Sequence, residues 1–305
     1  MKKKLKFRHL NDRYAIAHDR VNERYGLYNK ETQNFDIPVI YKHLDANFEN
    51  SPLLVAENSE GLYGYLDQNN EIVIPFQYEH ARMFRDGFAC ISRFTDENGI
   101  GKSYEGVINE KGEMILPMEY EFIYSKHPNE YAIVKQNGKC GIITFDKKMI
   151  LPLEFDYIEA FSSAMEEVFE CTQNNKTGLY DIRAGKFIVP PELDGTEESF
   201  IIDGNPGYEY HIFKKNGLNA LVKIQFGTLT FLTDYIYEHI DHTEMCEDRV
   251  LVSQDGLWGM TDIDGNLIIL CEYDHILPAQ NGRIRAKKGR RNYILSLDGK
   301  VLEVI

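Results

Sequence analysis

The sequence predicts an all-β repeat protein, and three observations carry that prediction. A glycine-centred pattern recurs seven times, with anchors at 26, 64, 106, 141, 178, 220 and 259 and steps of 35 to 42 residues. Self-similarity at such a period marks stacked or radially repeated units. The segments between anchors are short and rich in β-branched and aromatic residues, which fit a pleated, half-buried surface. Pairs such as Lys111-Gly112, Asp264-Gly265 and Asp298-Gly299 separate them at hairpin spacing, since glycine enters positive φ without a Cβ clash.

The two best copies, GLYGYLDQNNEIVIPFQYEHA (61–81) and GLWGMTDIDGNLIILCEYDHI (256–276), align without a gap. The weakest copy has Ala220 at the anchor and Tyr237 later than usual. Each copy predicts three strands. The first precedes the anchor: YAIAH (14–18), LLVAE (53–57), FACIS (88–92), YAIVK (131–135), YHIFK (210–214) and RVLVS (249–253). The second begins at the anchor glycine, where close approach of another backbone or side chain is expected. The third is an apolar run ending near Pro38, Pro75, Pro117, Pro152 or Pro190; proline donates no amide, so pairing is predicted to stop there. The step that follows, as in Tyr78-Glu79-His80-Ala81 and Tyr273-Asp274-His275-Ile276, turns the chain towards the next unit, with its Tyr and its fourth residue facing the core. An aromatic precedes the anchor at Tyr25, Tyr63 and Trp258, and the single Trp is expected to be buried between units.

An eighth copy starts at Tyr293 and stops at the chain end. The expected organisation is a single repeat domain over 1–305, with seven full repeats (about 14–282) and a C-terminal half-repeat (283–305). A propeller-like ring is favoured over an open β-solenoid. Closure removes free sheet edges, whereas a solenoid needs caps.

Composition is that of an ordinary globular protein, 43% hydrophobic and 27% charged. MKKKLKFRHLNDRY has a basic start but no apolar stretch behind it, and no window reaches membrane-spanning length. Five scattered cysteines argue against a disulfide framework and favour a reducing cytoplasm. The net charge of −14 is uneven: residues 1–13 and 283–291 each hold six Lys/Arg, against one acid in both together. The acidic remainder disfavours nucleic acid and favours a basic partner, although solubility alone also explains it.

No cofactor or catalytic signature emerges. GIGKS (99–103) has Asp96 where a phosphate loop needs its first glycine, so it is expected to be a long hairpin loop. His239, His242 and Cys246 include zinc-ligating residue types, but His239 shares the repeat position of His80 and His275, a structural reading. Glu166, Glu167 and Glu170 lie in AMEEVFEC, which alternates like a solvated strand edge. The candidate partner-binding residues are Arg283, Arg285, Lys287, Lys288, Arg290 and Arg291. Arg283 and Arg285 alternate and should share one face of a strand, while the others crowd the next turn. Their bland reading is edge protection by charge; their functional one is contact with an anion.

The pattern resembles the Trp-Gly (WG) repeat family of bacteria. The resemblance rests on Trp258-Gly259, Tyr63-Gly64 and Tyr25-Gly26, on the prolines named above, and on the Tyr-acid step at 78–79, 120–121, 237–238 and 273–274. It implies an interaction module with no shared enzymatic activity and no catalytic residues. The expected function is a non-catalytic scaffold for protein–protein interaction, one version being an inhibitor or immunity protein that caps a basic partner. A carbohydrate- or ligand-binding module and a hydrolase with a central-channel site are the alternatives.

Overall fold

Alternation along the middle strands sets the architecture. Successive side chains of a strand point to opposite faces. In Leu53–Ala56, Leu53 and Val55 pack into one cluster with Ala81, Phe84 and Ile91, while Leu54 and Ala56 pack into another with Ile16, Leu27 and Ile37. A strand covered on both faces reads as a continuous apolar run. Such runs are what the sequence shows ahead of each anchor.

The computed structural model describes residues 5–97, 100–125, 130–200 and 208–305, with the side chains at 96, 97, 100, 197–200 and 242–246 excepted. These form eight four-stranded antiparallel sheets, each with its strands in chain order, and no α-helix occurs among them. The up-and-down four-stranded sheet is the blade unit of propeller-like folds. No helix of the described residues is long and apolar enough to cross a membrane.

Where the sequence predicts three strands per unit, the structure has four. The additional strand is the step assigned to the connection. His80-Ala81 pairs with Ser92 and Ile91, and His275-Ile276 with Lys287 and Ala286. At two to six residues in most sheets, such strands are too short to show a period of their own. The C-terminal segment beginning at Arg283 accordingly belongs to a whole sheet, built from His275–Ile276, Arg283–Lys288, Arg291–Ser296 and Val301–Val304. The Tyr of the step ends the fourth strand at Tyr41, Tyr78, Tyr120 and Tyr273; these and Tyr237 are buried, as are Leu44, Ala81, Ile123, Ile158, Ile240 and Ile276.

Pairing does not stop at the prolines. It crosses them on a bulge: Leu27 pairs with Ile37 and Tyr25 with Tyr41, so Pro38 and its neighbours arch opposite Gly26. A Cβ on Gly26 would lie 2.6 Å from the Ile37 carbonyl oxygen, and one on Gly64 2.7 Å from that of Ile74. The anchor is thus glycine because the bulged backbone occupies the space of a side chain. Ala220 tests this reading within the same chain. There the fourth strand ends at Phe231, and pairing resumes only at the isolated bridge between Asn219 and Tyr237. Tyr237 lies 17 residues after the anchor, against 14 or 15 for the step residue of the other copies, and the longer segment lets the chain detour around the methyl group.

The chain divides into two units between Asp156 and Tyr157. In the first, apolar clusters join sheets one and two, two and three, and three and four. In the second, clusters join sheets five and six, six and seven, and seven and eight. Buried Leu, Ile and Val side chains of this kind each contribute about 1.5–3 kcal/mol.

Candidate functional site

One row of side chains, set by the strand register, crosses the middle of every sheet but the sixth. It reads Ile16-Leu27-Ile37 in the first sheet, Val55-Tyr65-Ile74 in the second, Cys90-Val107-Leu116 in the third and Ile133-Ile142-Leu151 in the fourth. In the seventh it is Leu251-Met260-Ile269, all buried in the cluster shared with the eighth sheet. In the eighth it becomes Arg285-Ile294-Glu303. A charged pair has replaced the outer members of an apolar triplet.

Arg283, Arg285 and Lys287 are exposed along the second strand of this sheet, while Ile284 and Ala286 between them are buried against the seventh. The expectation that Arg283 and Arg285 share a face is met, and Lys287 joins them. The strand is not an edge. It pairs with Arg291–Ser296 on one side and with His275-Ile276 on the other, so its charge does not guard a free row of amides. The remaining basic residues part company. Lys288 forms an ion pair with Glu272 at 2.8 Å, which raises its pKa. Arg290 and Arg291 lie at the hairpin turn. Among the described residues, Arg283, Arg285, Lys287, Arg290 and Arg291 have no ion-pair partner.

Two adjoining grooves lie on this face. One, of about 720 Å³, is lined by Arg283, Arg285, Leu277, Gln280 and Ile294. The other, of about 480 Å³, is lined by Arg285, Lys287, His275, Asn292 and Tyr293. Arg285 and the apolar pair Leu277 and Ile294 border both. The surface therefore offers free cations beside an apolar floor, the chemistry of an anion-binding contact rather than of bond making.

The other sequence candidates separate in space. Glu170 occupies the core row of the fifth sheet, Glu170-Leu179-Val189. Its carboxylate accepts a 2.8 Å hydrogen bond from the Thr196 hydroxyl of the next sheet, and burial pushes its pKa up. Glu167 pairs with Arg183 at 3.1 Å, and Glu166 is exposed. Their strand, Met165–Gln173, is internal to its sheet and not an edge as expected. His242 and Cys246 lie outside the described side chains. His239 stacks on Trp258 with ring centroids 6.2 Å apart, a packing role. Trp258 itself is half-buried, less enclosed than its repeat position predicts, and packs at the margin of the cluster shared by the seventh and eighth sheets. Of GIGKS, Gly99 lies outside the described residues, and residues 100–103 are strand, not loop.

The acid of the Tyr-acid step has a role that sequence reasoning missed. Glu121, Glu238 and Asp274, and Asp194 at the equivalent place after Leu193, each accept a hydrogen bond from a turn glycine amide in the following sheet, at Gly138, Gly256, Gly289 and Gly217 respectively. Its recurrence beside the buried Tyr was the available signal.

Against known proteins, a family model described as the WG containing repeat matches residues 63–92, 106–140 and 258–291. No curated protein sequence matches. Among solved structures, a eukaryotic initiation factor is similar at 8% identity and TM-score 0.39, over 97% of this chain and 96% of its own. The tricorn protease is similar at 11% identity and TM-score 0.31, over 99% of this chain and 40% of its own. Likenesses of that size carry nothing about activity. The matched stretches open on Tyr63-Gly64, Gly106 and Trp258-Gly259, the anchors whose glycines make room for the bulge, and over these three stretches the chain carries WG-containing repeats.

Proposed function

We propose that this chain is a non-catalytic repeat scaffold that binds another protein, with the exposed face of the eighth sheet as its contact surface. The observation that carries the reading is a row of three exposed cations, Arg283, Arg285 and Lys287, at alternate positions of one strand beside two grooves, without ion-pair partners among the described residues. Free cations beside apolar side chains suit recognition. The four described cysteines are free thiols, and burial pushes those of Cys90 and Cys171 up to about 12, which supports a structural role in a reducing cytoplasm. A second reading, an inhibitor or immunity protein for a basic partner, draws on the net charge of −14.

A photo-crosslinking residue placed at the exposed Asn292 of the full chain tests the proposal in extracts of the cells that make it. The expected result is a discrete protein adduct, identifiable by mass spectrometry and missing when the residue is placed at exposed Lys186 in the fifth sheet. No discrete adduct at Asn292, or the same adduct from both positions, overturns it.

A further inference from the structure

We infer that the exposed face of the eighth sheet holds an extended acidic peptide, with carboxylates at alternate positions pairing with Arg283, Arg285 and Lys287. The inference rests on the protein-binding reading above and specifies the chemistry of the partner.

The argument begins with spacing. The three cations occupy every second position of one strand, Arg283–Lys288. At a rise of about 3.3–3.4 Å per residue their attachment points are ~7 Å apart, and an extended peptide places alternate side chains at the same interval. Register is then maintained along the strand without bending either chain. A helical ligand presents successive side chains of one face at i, i+3 and i+4, and matches this row poorly.

Charge complementarity supplies the second part. The three cations have no carboxylate partner among the described residues, so a ligand displaces no internal ion pair. Glu303, across Ile294 from Arg285, is the acid of the same row. It places a negative charge two strands away on the same face and confines an acidic ligand to the cationic strand. The remaining surface is strongly acidic and repels such a ligand, but screening limits that repulsion to about 8 Å at physiological salt. Arginine adds paired N–H donors that match a carboxylate. Leu277 and Ile294 lie along the grooves and suit apolar side chains between the acids.

The test uses the full chain and fluorescently labelled peptides of one composition, read by anisotropy at low and physiological salt. One peptide alternates Glu with Ser, and the other has its Glu residues in one block flanked by Ser. The alternating peptide is expected to bind more tightly, with affinity falling as salt rises. The triple variant Arg283→Gln, Arg285→Gln, Lys287→Gln is expected to weaken it at least about tenfold, through loss of charge-assisted hydrogen bonds. Unchanged circular dichroism and melting of that variant show that the fold persists, and Lys300→Gln controls for net charge. Equal affinity for the two peptides, equally tight binding of a single-stranded oligonucleotide of the same charge, or no effect of the triple variant overturns the inference. Should neither peptide bind while the Asn292 crosslink to a protein persists, the acidic-peptide inference falls and the scaffold reading stands.

Discussion

A single methyl group separates the anchor glycine from alanine, and in the six sheets that keep the glycine the bulge opposite it turns on that difference. At Gly64 a Cβ would meet the Ile74 carbonyl oxygen at 2.7 Å and the Phe76 amide nitrogen at 2.9 Å, both backbone atoms that cannot rotate away. Gly64→Ala is therefore expected to destabilise the protein by about 1–3 kcal/mol, the usual cost of overpacking. Gly195→Ala, where nothing lies within 4 Å, is the control expected to be near neutral. Urea unfolding of both variants checks the contrast. His211 governs a second residue-scale property. It is buried, with its ring centroid 4.8 Å from that of Phe161, and its Nε2 lies 3.5 Å from the Glu209 carboxylate without hydrogen-bonding geometry. Burial lowers its pKa below the ordinary 6.5, against a smaller opposing pull from Glu209. The unfolded chain then binds the proton more readily than the folded one. Stability is expected to be full above about pH 6.5 and to fall as the pH drops through the unfolded value towards the folded one. Thermal melts of wild type and His211→Phe across that window check it; the variant should lose this part of the slope.

At the scale of the element, the recurring features of the repeat belong to the joints between sheets. The fourth strand survives its proline because the bulge places that residue where no amide is required. The acid after the buried Tyr fixes the next hairpin. Glu238 accepts the Gly256 amide at 2.9 Å across a separation of 18 residues. Glu238→Ala is expected to cost ~1 kcal/mol, the worth of one such hydrogen bond at a partly solvated site. Hydrogen exchange at the Gly256 amide should speed up while that of Val252 in the adjacent strand is little changed. Equal acceleration at both would assign the acid to the whole sheet rather than to the turn. Strands and turns were legible in the sequence because apolar runs and glycine pairs are local signals. The short first strands were not, because two residues such as His80-Ala81 have no period and their pairing depends on a partner ten residues away.

At the scale of the molecule, each unit is a series of sheets packed face to face. The basic residues were visible in the sequence, but their meaning was not. Arg283 and Arg285 could have guarded an edge; the register shows them on an internal strand, in the row that is apolar in the sheet before. Aligning RVLVS (249–253) with RIRAK (283–287) carries that signal, since Arg285 stands at the position of Leu251. It acquires its meaning only once Leu251 is seen buried and Arg285 exposed.

The sequence by itself determined the period, the strand character, the turns and the identity of the core residues, because each depends on side chains a few positions apart. The tertiary structure decided where one sheet ends and the next begins. The sequence repeat runs from the aromatic-Gly pair to the second strand of the following sheet, so each matched stretch straddles two sheets. That phase rests on backbone pairing between strands ten or more residues apart, and a local pattern cannot encode which of two flanking strands accepts the hydrogen bonds. The same reason separates the eighth sheet from its neighbours: whether a face is covered depends on what packs against it, and Arg285 is a surface residue because its face of that sheet is left exposed.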